Sequence, residues 1–168
     1  MNSADVDLGM DRDRALAEAG LNTSRPLPDP AARYGSLSGI WLSVYEYYSS
    51  SRDQQLASKH HVMVLQRGAH LMARSLPASS SQMSMEMNVN GQVVTGTWTE
   101  ETEAGGYYRG AVYHGGIEML LDPTAHKMTG AWVGYGKDLA VNTGAWTLTL
   151  VDADVGEAAV SRWNRVPE

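Results

Sequence analysis

Residues Met83 to Trp98 read Met-Ser-Met-Glu-Met-Asn-Val-Asn-Gly-Gln-Val-Val-Thr-Gly-Thr-Trp. In the first seven, three methionines and a valine alternate with Ser, Glu and Asn. Successive side chains of a β-strand point to opposite faces, so this pattern predicts a strand with one dry side and one wet side. Asn90-Gly91 is a turn signal, and the chain beyond it alternates again. The stretch therefore predicts two antiparallel strands that bury one shared face.

The period of two extends from Gly39 to Asp152. The connections are mostly too short for a crossover helix, so we expect neighbouring strands to pair antiparallel. We predict an all-β fold, an antiparallel up-and-down β-barrel of about eight to nine strands with a short N-terminal helix, because closure removes the exposed edges of a meander. The strand candidates are 39–49, 59–67, 69–76, 82–90, 92–100, 107–114, 116–122, 127–136 and 143–152, separated by turn signals such as Arg67-Gly68, Gly105-Gly106, Gly115-Gly116, Asp122-Pro123 and Asn142-Thr143-Gly144.

The chain before and after this region differs in character. Residues 11–19 read Asp-Arg-Asp-Arg-Ala-Leu-Ala-Glu-Ala and predict a short helix that ends at Gly20. Residues 26–30, Pro-Leu-Pro-Asp-Pro, predict a semi-rigid extended tether. We expect residues 1–38 to be either a leader or a hinged lid over an opening, residues 39–152 to be the barrel, and residues 153–168 to be a C-terminal tail.

Composition narrows the function classes. The 168 residues, 43% of them hydrophobic, suit one domain with one core. Thirteen basic against 19 acidic residues give a formal charge of −6, the wrong sign for binding nucleic acid. The absence of cysteine excludes disulfides and thiolate chemistry. No signal peptide and no run of 18 apolar residues are visible, so we expect a cytoplasmic protein without a membrane partner.

Gly-x-Trp occurs four times, ending at Trp41, Trp98, Trp132 and Trp146. Residues two apart on a strand share a face, so the glycine leaves room beside each indole and permits the bend that a barrel wall needs. Burial of each indole stabilises the fold by about 4–6 kcal/mol. The tryptophans either only pack the barrel or also touch a ligand. If they point inward, so do Tyr45, Tyr47, Glu100, Met128 and Leu148.

Two groups of polar residues are candidates for chemistry. Glu46 falls on the face opposite Tyr45 and Tyr47, where it is either a surface carboxylate or, after one bulge, an inward group tuned by burial. That opposite face is also apolar, and either the N-terminal helix or a partner subunit would cover it. The segment Tyr107–His114 carries several hydrogen-bond donors, and which of its faces points inward stays open.

Motifs for other chemistries are missing from the sequence. His60 and His61 are adjacent, so they point to opposite faces and cannot share a metal ion, and the other histidines lack ligand spacing. The sequence contains no nucleophile elbow, phosphate loop or dinucleotide fingerprint. We expect neither a metal nor another cofactor.

Gly-x-Trp in the first strand of a meander resembles the calycins, which include lipocalins, fatty-acid-binding proteins and avidins. The segments 39–52, 107–115 and 128–137 look like the barrel domain that actinobacteria often attach behind a helix-turn-helix in putative regulators. A barrel behind an N-terminal helical segment is also similar in layout to the [4+2] cyclases of spirotetronate and spirotetramate polyketide biosynthesis. That similarity implies a cofactor-free barrel with a lid over a linear polyene.

Two main functions follow as expectations. One is a cofactor-independent cyclase of the Diels-Alderase type, which folds a linear apolar polyketide inside the barrel and lowers the barrier by proximity. The other is non-catalytic binding or sensing of a hydrophobic small molecule; a structural dimer with a filled interior is a third option. The candidate catalytic residues are Tyr45, Glu46, Tyr108 and His114. The candidate substrate-binding residues are Trp41, Tyr47, His61, Met83, Met85, Met87, Trp98, Trp132 and Trp146.

Overall fold

A computed structural model describes residues 33–49, 52–106, 109–136 and 139–168. Eight strands form a closed barrel in which each strand is antiparallel to the next and the last pairs with the first. The strands are β1 (Gly39–Ser49), β2 (Gln54–Arg67), β3 (His70–Ser75), β4 (Gln82–Asn90), β5 (Val93–Glu101), β6 (Val112–Leu121), β7 (Lys127–Tyr135) and β8 (Val141–Asp152). A short helix, α1 (Glu157–Trp163), follows β8.

The predicted up-and-down β-barrel is confirmed, but β2 begins at Gln54, five residues before the predicted strand 59–67, and β6 differs from the two strands predicted there. Gly115-Gly116 is not a turn but lies inside β6, so two candidate strands are one. A Cβ at Gly115 would lie 1.8 Å from the carbonyl oxygen of Val133 on β7. The glycine is therefore required by the close approach of the neighbouring strand, which a single sequence does not distinguish from a turn.

The helix seen in the structure is C-terminal, within the segment predicted only as a tail. α1 lies against the outer face of β1, where Ile40 is fully buried, and its own Ala159 is buried too. The cover of this apolar face therefore includes the C-terminal helix. The predicted helix 11–19 and the tether 26–30 lie outside the described residues. Among the described residues, no helix has the length and apolarity needed to cross a membrane.

The interior is apolar, as the alternation of the strands predicts. The three methionines of β4 and Val89 are buried, while Glu86 and Asn88 between them are exposed. The tryptophans of β1, β5, β7 and β8 are all inward, and so are the residues that share their parity. These are Tyr45, Tyr47, Glu100, Met128 and Leu148.

On β7 and β8, the tryptophan of each Gly-x-Trp lies opposite a glycine of the neighbouring strand. β7 and β8 run antiparallel in a register that places Gly130 opposite Trp146 and Trp132 opposite Gly144. A Cβ at Gly144 would lie 2.7 Å from Nε1 of Trp132 and 2.0 Å from the carbonyl oxygen of Glu46 on β1. The indole therefore crosses the bare backbone of the next strand, and a side chain at that point would hold the strands apart.

All four interior indole N–H groups are satisfied by the wall itself. Trp41 donates to the carbonyl of Leu37 at 3.1 Å, and Trp98 donates to the carbonyl of Gly116 at 3.1 Å. Trp132 donates to the carbonyl of Glu46 at 2.9 Å, and Trp146 to Oγ of Ser43 at 2.8 Å. Buried indoles need such partners.

The centre of the barrel is filled by these rings. The ring centroids of Trp98 lie 5.4 Å from those of Trp132 and 5.9 Å from those of Trp146, and Tyr45 lies 5.0 Å from Trp146. Trp41 and Trp146 are at most 2% exposed, and Trp98 and Trp132 are 6% and 8% exposed. The described indoles and methionines thus pack against one another.

The close approach at Gly144 leads to a test by substitution. We expect Gly144→Ala to lower the free energy of unfolding by about 1–3 kcal/mol, because overpacking forces β1 and β8 apart. The measurement is urea unfolding followed by tryptophan fluorescence. The control is Gly105→Ala, because a Cβ at Gly105 meets nothing within 4 Å. Equal unfolding midpoints for the two variants would contradict this account of the wall.

Candidate functional site

The two ends of the barrel differ in the length of their connections. At one end, the short-turn end, the connections are 68–69, 91–92 and 122–126. At the other, the loop-rich end, they are 50–53, 76–81, 102–111 and 136–140. Leu37 is fully buried beneath the short-turn end, and its N–H donates to Oε1 of Gln66 at 2.7 Å. Longer connections on a rigid barrel are where binding groups concentrate.

Five polar side chains converge just inside the loop-rich end, and we call them the polar cluster: Tyr45, Ser58, His60, Ser81 and Glu100. β1, β2 and β5 each supply inward positions, and the 76–81 connection supplies Ser81. The Glu100 carboxylate is at the centre, with its side chain 12% exposed. Its Oε1 accepts a hydrogen bond from the Tyr45 hydroxyl at 2.6 Å and another from the Ser81 hydroxyl.

His60 is fully buried beside this carboxylate. Its Nε2 lies 3.2 Å from the Ser58 hydroxyl, 3.4 Å from the Ser81 hydroxyl and 3.8 Å from Oε1 of Glu100. Its ring stacks on Tyr45 with 5.7 Å between centroids. Its Nδ1 is buried and has no hydrogen-bond partner among the described residues. A buried polar atom without a hydrogen-bond partner destabilises a folded protein by about 1–3 kcal/mol, so its presence requires an explanation.

Burial fixes the protonation of two members of the cluster. It raises the pKa of the Tyr45 phenol well above the ordinary 10.0, and the Glu100 charge raises it further. Burial also lowers the pKa of the His60 imidazole below the ordinary 6.5, and the Glu100 charge opposes that effect. At neutral pH the Tyr45 phenol and the His60 imidazole are therefore both uncharged. The cluster can accept from and donate to a polar group of a bound molecule.

An apolar cleft opens at the rim of the same end. It has a volume of about 320 Å³ and lies between the start of β6 and the end of β7, and we call it the rim cleft. Tyr113 lines the rim cleft, and on the inner face it is the register partner of Glu100 on β5. The cleft is lined by Ala111, Val112, Tyr113, His114, Tyr135, Gly136 and Leu139.

The three predicted catalytic residues that the structure describes do not lie together. Tyr45 belongs to the polar cluster. Glu46 is exposed on the outer face, because β1 keeps strict alternation there and its one irregularity lies at Ile40/Trp41. His114 is exposed on the outer face of β6 and lines the rim cleft. Tyr108 lies outside the described residues.

The predicted substrate-binding residues separate in a similar way. Tyr47 is inward and partly buried, with its ring centroid 6.0 Å from that of Tyr45. His61 is on the outer face of the barrel, where Nδ1 lies 3.1 Å from the carbonyl of Arg165 and the ring packs edge-on against Trp163. It is therefore held by the C-terminal segment, away from the interior. The tryptophans and methionines form the packed centre described above.

Sequence reasoning missed four members of this cluster as site residues. Parity with Trp98 places Glu100 inward but assigns it no role. His60 is considered only as a metal ligand, and Ser58 and Ser81 carry no signal in the sequence. The available signal was the parity of β2, where His60 shares a face with Val62 and Val64. The same strand also buries His61 on its other face, so parity alone could not tell which histidine was inside.

Comparison with known proteins adds little to this picture. No protein family matches the sequence, and no curated protein matches it either. Among solved structures, the fold is similar to part of a mutant of the vaccine antigen transferrin binding protein B from Haemophilus parasuis Hp5, with 11% identity and a TM-score of 0.43 over 68% of this chain. The chain spans 26% of that protein, and the likeness carries no argument about function.

The electrostatics of the cluster lead to a titration experiment. Because its folded-state pKa lies below the ordinary 6.5, neutral His60 stabilises the fold fully above about pH 6.5, and this contribution is lost as the pH falls toward the folded pKa. We expect Glu100→Gln to lower the pKa of His60 further, because it removes the charge that favours the imidazolium. The measurement is histidine NMR titration, with His60→Asn to assign the signal.

The control for this titration is Glu101→Gln, which changes the exposed neighbour on the outer face of β5. We expect this variant to leave the pKa of His60 unchanged. A His60 pKa above 6.5, or a pKa raised by Glu100→Gln, would contradict the described electrostatics.

Proposed function

We propose that the protein binds a small organic molecule at the loop-rich end of the barrel without transforming it. The observation that supports this is the polar cluster, in which buried groups converge on one carboxylate. Among the described residues, Nδ1 of His60 in this cluster has no hydrogen-bond partner. Small-molecule sites combine an apolar lining with a few convergent polar groups. A ligand with a polar head would hydrogen-bond the Glu100 carboxylate, which is 12% exposed.

The rim supplies the apolar part of such a site. Val112, Tyr135, Leu139 and Val141 are 50% to 80% exposed at the loop-rich end. A rim cleft of about 320 Å³ falls at the lower end of the range for ligand pockets, about 300–1,000 Å³. Exposed apolar patches beside polar groups mark binding sites more often than inert surface. The ligand body would lie across the rim while its head reaches the polar cluster.

This proposal differs from the sequence expectation in where the ligand lies. The expected place was an apolar hollow lined by the tryptophans and methionines. Their indole N–H groups already donate to the wall, and the rings contact one another, so the described interior favours a ligand at the end of the barrel rather than at its centre. A long, folded polyene would need far more room than the rim cleft has.

A screen of uncharged, cationic and anionic fragments by ¹⁵N–¹H NMR tests the proposal. We expect hits that shift amide signals of β1, β2 and β5 near the loop-rich end. These hits should weaken by about tenfold or more in Tyr45→Phe, because that change removes the donor to Glu100 and disturbs the cluster. The matched control is Tyr48→Phe, which alters the exposed tyrosine on the outer face of the same strand.

Two results would count against binding at this end. One is a complete screen in which no fragment moves these signals. The other is a set of hits that bind Tyr45→Phe as tightly as the unaltered protein.

The [4+2] cyclase is our second candidate, and one observation favours it. The neutral Tyr45 hydroxyl, which donates to Glu100 in the free protein, would turn from that carboxylate to a substrate carbonyl that gains electron density in a pericyclic reaction. In this proposal the reacting part of a linear substrate would have to sit at the rim. The rest of the rate would come from proximity.

Incubation with linear tetramate or tetronate polyenes, without cofactors, tests this candidate. A cyclase would give a product ratio different from the spontaneous one, and the difference would shrink in Tyr45→Phe but not in Tyr48→Phe. Product ratios identical to the spontaneous reaction would reject it and leave the binding proposal in place.

A further inference from the structure

Glu100 has no positively charged partner among the described side chains. Within 4.0 Å its described ionic contact is to His60, which is neutral at pH 7 because burial lowers its pKa. Its other partners are the hydroxyls of Tyr45 and Ser81. Among the described residues, the Glu100 carboxylate therefore has no compensating positive charge, and its side chain is only 12% exposed.

Desolvation of a buried carboxylate is unfavourable, and hydrogen bonds from two hydroxyl donors offset only part of that free energy. A positively charged group placed against it would gain a charge-assisted hydrogen bond, which is about twice as strong as a neutral one. An anionic head would meet like-charge repulsion. The formal charge of −6 on the whole chain has the same sign and favours the approach of cations.

Three tyrosines share the inner face with this carboxylate at the loop-rich end. Tyr45 donates to it directly, Tyr47 lies 6.0 Å from Tyr45 between ring centroids, and Tyr113 is its register partner across β5 and β6. Directly opposite residues on one face of a sheet have Cβ atoms about 4.5–5.5 Å apart. Ring faces attract organic cations, and a carboxylate beside several rings is suited to recognise one.

We infer that the ligand is an organic cation, with a protonated or quaternary amine as its head and an apolar body. The head would lie against Glu100, on the side of Tyr47 and Tyr113, because His60 and Trp146 already pack on the ring of Tyr45. The body would extend past Tyr113 into the rim cleft. This inference rests on the proposed binding function and specifies the chemical class of its ligand.

Three probes with the same phenyl body and different heads test the inference: benzylammonium, benzyl alcohol and phenylacetate. Their affinities are measured by ¹⁵N–¹H NMR titration of the full chain at low salt. We expect benzylammonium to bind at least about tenfold more tightly than benzyl alcohol, as a charge-assisted bond predicts, and phenylacetate to bind most weakly. This comparison uses the unaltered protein, so it does not depend on how a variant folds.

Two variants then assign the effect to Glu100. Glu100→Gln should remove the advantage of benzylammonium over benzyl alcohol, because the amide keeps the shape but not the charge. Glu101→Gln removes the same charge from the adjacent outward position and should leave the advantage unchanged.

The inference is overturned if benzyl alcohol or phenylacetate binds as tightly as benzylammonium, if Glu100→Gln keeps the advantage, or if none of the three probes shifts the signals of the loop-rich end. These failures remain distinguishable from failure of the proposed function. Uncharged or anionic fragments that bind there and depend on Tyr45 would preserve the function and reject only the cation.

Discussion

The cross-strand pairing of glycine with tryptophan is the constraint on which the barrel depends. On β7 and β8 the register is reciprocal, since each Gly-x-Trp places its glycine opposite the tryptophan of the other, and at Gly144 the indole of Trp132 lies against the bare backbone. The same crowding recurs at Gly96 and Gly115, where a Cβ would lie 2.1 Å and 1.8 Å from a carbonyl of the neighbouring strand. Bare backbone at these points lets the strands approach and lets the indoles fill the space between them.

This packing determines where polar chemistry can occur. The indoles occupy the centre and their N–H groups donate to the wall, so these donors are already used and are not available to a ligand there. Two residues beyond Trp98 on the same face of β5, Glu100 emerges above the packed rings. The cluster therefore sits where the apolar filling ends and the long connections begin. The rigid wall below it holds Tyr45 and His60 in place, as a binding site on a barrel requires.

Much of the fold could be predicted from the sequence, because barrel strands obey a local rule. The alternation of 83–89 and the parity of the tryptophans identified the inward residues, and β1 and β4 begin and end where the pattern indicates. The polar cluster could not be assembled in this way. His60 reaches Glu100 through the pairing of β2 with β1 and the closure of the barrel, and Ser81 reaches it from a connection, so both contacts depend on tertiary structure. β2 also lacks a tryptophan that would fix its parity.

Hydrogen exchange of the tryptophan indole protons tests the filled centre most directly. The chain has five tryptophans, four of them in the barrel and the fifth, Trp163, half-buried on α1 with its N–H donating to Asp152 at 3.0 Å. Burial predicts that the indole protons of Trp41, Trp98, Trp132 and Trp146 exchange only when the barrel opens, far more slowly than that of Trp163. If Trp132 or Trp146 exchanged as fast as Trp163, water would reach the middle of the barrel, and the account of a packed interior with a site at its end would be wrong.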